Sequence, residues 1–168
     1  MIKYKMYFSY FKYVLEHKWY VFIECCNFGM PVRGLLHDLS KFRPSEFIPY
    51  AKFFYEPNGD KKQRRNSTGY YKATDTGDID FDMAWFYHQS RNKHHWQHWI
   101  IPENDGKFKC IKVPEKYLKE RVADWRGAAQ AQGFSRDVCE WYKVNNDKMI
   151  VNESDREYLE KLIGYKRL

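Results

Sequence analysis

The amino-acid sequence predicts an all-α protein, a compact single-domain bundle of about six to seven helices with a long polar insertion near residues 56–78. Three observations predict it. Apolar residues recur at three- and four-residue intervals over long stretches. Residues that start and stop helices fall between those stretches. No segment alternates apolar and polar residues as a half-buried strand does, and 108–113 reads only as one short extended piece. A chain of 168 residues is long enough for one domain with a real core.

The first helix is expected over residues 3–26. Tyr4, Phe8, Phe11, Leu15, Trp19, Phe22 and Cys26 share one face, which reads as the core side. Lys5, Ser9, Lys12 and Glu16 form a narrow polar stripe, so the apolar arc is wide, as in a helix packed by several neighbours. His17 lies off that arc among Tyr10, Tyr13, Val14 and Val21, a setting that places it inside. Gly29 ends this helix, and Pro31 suits the first turn of a second helix running to about Phe42. Ser45 is a cap for a third helix through Tyr50 and Phe54, with Pro49 near its first turn. Residues 56–78, with three glycines, one proline and many polar groups, read as a loop, either a lid or a plain surface excursion. A fourth helix is expected from Phe81 to Trp99, placing Phe81, Ala84, His88, Asn92, His95 and Trp99 on one face. A fifth runs from Pro114 to about Ala131, with Gly133 after its end. Ser135 is a cap for a short helix through Trp141, and Ser154-x-x-Glu157 is a capping-box pattern for the last.

Composition narrows the function classes. Hydrophobic residues make up 43% of the chain although mean hydropathy is −0.80, because aromatic residues, many with polar tips, are 19%. No apolar run is long enough to span a bilayer, which argues against a membrane role. Lysines interrupt the apolar N-terminus and no small-residue cleavage site follows, so no signal peptide is expected. Cys25, Cys26, Cys110 and Cys139 lack zinc-finger spacing and read as reduced thiols of a cytoplasmic protein. The net charge is +7, scattered except for Lys61-Lys62-Gln63-Arg64-Arg65. That run is either a solvated loop or an attraction for phosphate-bearing ligands.

The segment Gly34-Leu35-Leu36-His37-Asp38-Leu39-Ser40-Lys41-Phe42 carries the chemistry. An imidazole and a carboxylate side by side can bind one divalent ion. His17 upstream and Asp124 on the fifth helix complete a four-ligand set, leaving positions for a water that becomes nucleophilic near neutral pH. Each residue alone has a plainer role: His17 as a core histidine, Asp124 as a partner of Arg121, Lys41 as a solvated cation. Their joint occurrence points to a metal. His88 and His95 are candidates for a second metal or for substrate, given a bend near Asn92, whereas His94 and His98 suit structural roles. Asp38, Lys41 and His88 are the candidate catalytic groups. Lys41, Arg33, Glu46, Asn92 and His94 are the candidate substrate contacts.

This order, a histidine, His-Asp, further histidines and a late aspartate, resembles the HD-domain superfamily of metal-dependent phosphohydrolases, whose His-Asp-x-x-Lys signature is similar to 37–41. With Pro44-x-Glu46-Phe47, Ala84-Trp85-x-x-His88, Asn92-x-His94-His95-Trp96 and Ala123-Asp124-Trp125, the chain more closely resembles a family of small bacterial and phage proteins with no assigned function. The superfamily resemblance implies an HD-type helical fold, metal ligands at His17, His37, Asp38 and Asp124, and, in two-metal members, added histidines that match His88 and His94 or His95. No Gly-Tyr-Pro motif follows the histidines, unlike the branch acting on cyclic dinucleotides.

The leading expectation is a phosphomonoesterase or phosphodiesterase that acts on a nucleotide or another small phosphate ester. It would use one or two divalent ions, Mn, Fe, Co, Ni, Zn or Mg. The alternatives are a di-iron oxygenase of the same superfamily and a non-catalytic, metal-stabilised module binding a host component. Nucleic acid is a weaker candidate partner, since the aromatics sit at core-like spacing.

Overall fold

The computed structural model describes residues 3–64 and 76–166. Seven α-helices and one two-stranded antiparallel pair make up the regular structure of these residues. The helices are α1 (Lys3–Asn27), α2 (Pro31–Leu36), α3 (Pro44–Phe54), α4 (Ile79–Arg91), α5 (Glu115–Ala131), α6 (Cys139–Asn145) and α7 (Glu153–Ile163). The all-α expectation holds. The extended piece near residue 108 is β2 (Phe108–Cys110), which pairs with β1 (Ile100–Pro102) in the register Ile100 to Cys110. None of the described helices is long and apolar enough to cross a membrane.

Helix α1 is the axis of the fold, with α5, α2 and α3 packed around it. Its buried face differs from the expected one. Met6, Tyr10, Val14, His17, Val21 and Cys25 face inward, whereas Tyr4, Phe8, Phe11, Leu15 and Trp19 are exposed. Both faces are apolar, so periodicity alone does not choose between them. The side carrying Val21 and Cys25 faces in because neighbouring helices approach the α1 backbone closely there. A Cβ on Gly34 would lie 2.9 Å from Phe22 Cα, and one on Gly127 would lie 2.5 Å from Val21 Cγ2. These two glycines seat α2 and α5 directly on the α1 backbone.

Three apolar clusters fill the interior. Met6, Tyr10 and Val14 pack with Tyr50, Phe53 and Phe81 of α3 and α4. Val21 and Cys25 meet Ala123 of α5. Leu118 and Val122 pack with Tyr142 and Leu159 of α6 and α7.

Several boundaries differ from the sequence reading, each for a local reason. The second helix ends at Leu36 instead of Phe42; His37 is its C-cap, Asp38 turns the chain with φ 52°, and Leu39–Phe42 form a 3₁₀ turn. The fourth helix ends at Arg91 instead of Trp99, and a second 3₁₀ turn spans Trp96–Trp99. Asn92 stops it, because its side-chain amide donates to the His88 carbonyl at 2.8 Å and its backbone N–H uses the same acceptor. Helix α3 starts at Pro44, so Ser45 lies inside it; Pro fits a first turn that has no use for an N–H. Helix α6 starts at Cys139 rather than at Ser135. Asn152 caps α7 by accepting from the Asp155 N–H, in place of the box read at Ser154. Of the 56–78 insertion, residues 65–75 lie outside the described residues; 56–64 and 76–78 are non-helical, with an isolated bridge from Tyr55 to Lys61.

Candidate metal centre

Three elements converge on one buried point. His17 comes from the middle of α1, His37 and Asp38 from the end of α2, and Asp124 from α5. The close seating of α2 and α5 on α1 makes the convergence possible. Two adjacent residues in one helix would point about 100° apart. The break after Leu36 removes that constraint. The left-handed turn at Asp38, which an aspartate tolerates better than most residues, aims its carboxylate back beside the His37 ring. Lys18 supports the break by donating to the Leu35 and His37 carbonyls.

The distances describe a ligand set. Asp38 Oδ2 lies 3.3 Å from His37 Nε2 and 3.7 Å from His17 Nε2. Asp124 Oδ1 lies 3.2 Å from His17 Nε2 and 3.4 Å from His37 Nε2. One ligand atom from each of the four residues falls within 4.8 Å of the others. A second group adjoins the first and shares Asp38 with it: Asp38, His88, His94 and His95. His88 Nε2 is 3.7 Å and His94 Nε2 3.6 Å from the Asp38 carboxylate.

The arrangement fits a divalent cation. His17 Nε2, His37 Nε2, His94 Nε2, His95 Nε2 and both Asp38 oxygens are buried and have no hydrogen-bond partner. Leaving so many polar atoms unsatisfied in one place is costly unless something binds them. The far sides of two rings are held. His37 Nδ1 donates to Glu120 Oε1 at 3.1 Å, and His88 Nδ1 donates to Glu46 Oε2 at 3.0 Å. A carboxylate only accepts, so each contact places the proton on Nδ1 and turns the Nε2 lone pair to the centre. Both carboxylates are anchored in turn: Glu120 by Arg33 at 2.8 Å, and Glu46 by Ser40 at 2.8 Å and Arg91 at 2.5 Å.

Electrostatics agree. Burial opposes ionisation of Asp38, but the charges of His37 and Lys41 outweigh it and hold the carboxyl well below its usual range. Asp124 shifts the same way, burial being outweighed by the His17 and His37 rings close beside it. Burial also disfavours charge on His37, yet the Asp38 charge raises it well above its ordinary value. Burial lowers His94 and, with His94 and His88 nearby, lowers His95 much further, so His95 stands neutral and ready as a ligand.

The structure brings together all six proposed metal ligands, His17, His37, Asp38, Asp124, His88 and His95. His94 joins them, which corrects the structural role read for it. On a continuous helix it would point away from His88; the chain turn at Asn92 sets the two rings 6.3 Å apart. His98 does take a structural place, with its Nδ1 2.9 Å from the Ser90 carbonyl oxygen. Lys41 is partly buried, and its ammonium lies 2.7 Å from Asp38 Oδ2 as an ion pair without the alignment of a hydrogen bond. Arg33 and Glu46, expected at substrate, instead brace Glu120 and His88, although Arg33 also lines a cavity. Arg121 does not pair with Asp124. It donates from Nε to the His94 carbonyl at 2.6 Å and so holds the histidine turn. Glu120 was missed by sequence reasoning. Its position one helical turn before Asp124 was the available signal.

A cavity of about 510 Å³ opens onto Asp38 and His94, with Arg33, Arg91, Lys93 and Tyr117 on its walls. A second of about 490 Å³ shares Leu36, Arg91 and Asn92 with it and adds Ser40 and Arg43. The guanidinium of Arg33 lies 4.6 Å from the Tyr117 ring centre, and the Lys93 ammonium 5.9 Å.

A model of a family of unknown function (DUF5662) matches residues 6–165, nearly the whole chain. The chain belongs to the DUF5662 family. Every residue of the centre lies within that match. No curated protein and no solved structure matches the chain.

Proposed function

We propose that this DUF5662 protein is a metal-dependent phosphohydrolase of the HD-domain kind, acting on a nucleotide or another small phosphate ester. One observation carries the reading: a buried set of unpartnered imidazole and carboxylate atoms faces a cavity walled by Arg33, Arg91 and Lys93. His17, His37, Asp38 and Asp124 would hold one divalent ion; His88, His94 and His95, with Asp38, would hold a second. When bound, such ions supply Lewis acidity and a nucleophilic water near neutral pH. The chain's own groups do the rest. Lys93 and Arg91 attract and orient the phosphate, where low-dielectric walls focus their field. Lys41 balances the Asp38 charge. Glu120 and Glu46 fix the His37 and His88 rings, so that little reorganisation is needed when charge develops on the phosphoryl oxygens.

The test is phosphate release from a panel of nucleotides and phosphate esters by protein loaded with Mn²⁺, Co²⁺, Mg²⁺ or Ni²⁺. Turnover that disappears in Asp38→Asn supports the reading, and metal-loaded protein inert on the whole panel removes it. The histidine-rich second group favours one other reading, a di-iron oxygenase. Iron content and oxygen uptake separate the two.

A further inference from the structure

The two cavities beside the metal centre carry more positive charge than one phosphate uses. The first opens onto Asp38 and His94, with Arg33, Arg91 and Lys93 on its walls. The second is lined by Leu36, Leu39, Ser40, Arg43, Arg91 and Asn92, with no carboxylate among the described residues. Two of these four cations are partnered from behind: Arg33 by Glu120 at 2.8 Å and Arg91 by Glu46 at 2.5 Å. Lys93 and Arg43 are exposed, and among the described residues neither has a carboxylate within ion-pair distance. Each cavity therefore has one uncompensated cation of its own.

An uncompensated cation in a concave wall receives an anion well, because the wall focuses its field. Lys93 serves a phosphate at the metal centre. Arg43 is left over: it lines only the second cavity, whereas Asp38 and His94 line only the first. An anion beside Arg43 is thus a different group from the one that reaches the metal ligands. Arginine's planar fork, with Arg91 on the same wall, suits a phosphate there. Between the two places stands Leu36, which lines both cavities and is 61% exposed. An apolar side chain at the divide suits a carbon skeleton joining the two anions and not an unbroken run of phosphates. The volumes, about 510 and 490 Å³, are of the size that small ligands fill. A nucleic-acid strand also offers spaced phosphates, but it needs rings on which to stack its bases. Tyr117 is the one tyrosine, tryptophan or phenylalanine on either wall among the described residues. Its ring is already covered by the Arg33 guanidinium at 4.6 Å and lies 5.6 Å from Trp99.

We propose that the substrate is a small organic bisphosphate: one phosphate meets the metal centre beside Lys93, its carbon skeleton crosses Leu36, and the second phosphate is held in the other cavity by Arg43. This rests on the phosphohydrolase reading and names the substrate class for the same site.

The test is calorimetric titration of Mn²⁺-loaded protein with propane-, butane-, pentane- and hexane-α,ω-bisphosphonates and with the alkylphosphonates of the same lengths. Their C–P bonds resist hydrolysis, so binding is read apart from turnover. At one spacer length or more, the bisphosphonate should bind at least about tenfold tighter than its alkylphosphonate, the worth of one charge-assisted contact. Arg43→Gln, a change on the outside of the fold checked by circular dichroism, should abolish that preference, and Arg43→Lys should keep part of it. Lys93→Gln should weaken both ligands while the preference persists. No preference at any length overturns the proposal, and so does a preference that survives Arg43→Gln. A single-stranded oligonucleotide that binds tighter than every bisphosphonate, with the same dependence on Arg43, overturns it in favour of a strand. Protein that turns over monophosphates without any preference keeps the phosphohydrolase reading and removes the second phosphate site. Protein inert in turnover that keeps an Arg43-dependent preference does the reverse.

Discussion

Replacing Glu120 tests whether the carboxylate behind His37 sets metal affinity. Glu120 is nearly buried, accepts from His37 Nδ1 at 3.1 Å, lies 3.6 Å from His94 Nδ1 and pairs with Arg33 at 2.8 Å. Glu120→Gln keeps the shape and one acceptor oxygen, so His37 keeps a neutral bond. The charge is lost, and a charge-assisted bond exceeds a neutral one by about 1 kcal/mol. Arg33 is nearly one-third exposed, so its lost pairing adds little. The sum is about 1–2 kcal/mol, or a metal Kd weakened roughly 5- to 30-fold. Glu120→Ala removes the acceptor and leaves a buried N–H unpaired, at a cost of about 1–3 kcal/mol for that group alone, so it should weaken binding further. Calorimetric titration with Mn²⁺ or Co²⁺, backed by chelator competition and a folding check, measures both. A folded Glu120→Gln protein that binds within about threefold of wild type would refute the positioning argument, as would a Glu120→Ala protein that binds no worse than Glu120→Gln.

Three other outcomes follow from the geometry. Gly127→Ala forces a methyl to within 2.5 Å of Val21 Cγ2 and 2.8 Å of its backbone N, and should cost about 1–3 kcal/mol in urea unfolding. By moving α5 from α1 it should also weaken metal binding; unchanged stability would mean that the helices are not held at this crossing. Elemental analysis should find two ions per chain, with His95→Ala or His88→Ala reducing the ratio to one; a wild-type ratio of one would remove the second site. Acidification tests the charges. Asp38, Asp124 and Glu120 have depressed folded-state pKa values, so their stabilisation is complete above the ordinary carboxylate range and is lost progressively as pH falls from there through their lower folded values. The metal-free Tm should therefore start to drop below about pH 5 and keep falling through about pH 3, and a flat profile would contradict these shifts. His37 is shifted the other way: its contribution is full below its unfolded pKa and is lost as pH rises through the raised folded value. Metal uptake near neutral pH should accordingly release a proton, seen as a titration enthalpy that depends on the buffer's own ionisation enthalpy.

Much of this protein is written in local patterns. The extents of α1 and α5, the stop at Gly29, the proline start of α2 and the all-helical class all follow from side-chain period and cap chemistry, which act within a few residues. The ligand types at His17, His37, Asp38 and Asp124 were legible as well, because a buried cation needs imidazole and carboxylate whatever the fold. What a helical wheel could not supply was direction. It chose the aromatic side of α1 as the core, but the side carrying Val14, His17 and Val21 is buried, because Gly34 and Gly127 let two helices reach the backbone only there. It ran α4 through Asn92 and so sent His94 outward, while an asparagine side chain bonding back to His88 ended the helix and turned His94 in. It took Glu46 for a substrate contact and gave Glu120 no role, since the partner of each lies tens of residues away in the chain. The sequence by itself determined which residues could bind a metal and which segments would be helices. Only the tertiary structure decided which face of each helix is inside and where two of them break, because those choices depend on long-range contacts that no local period encodes.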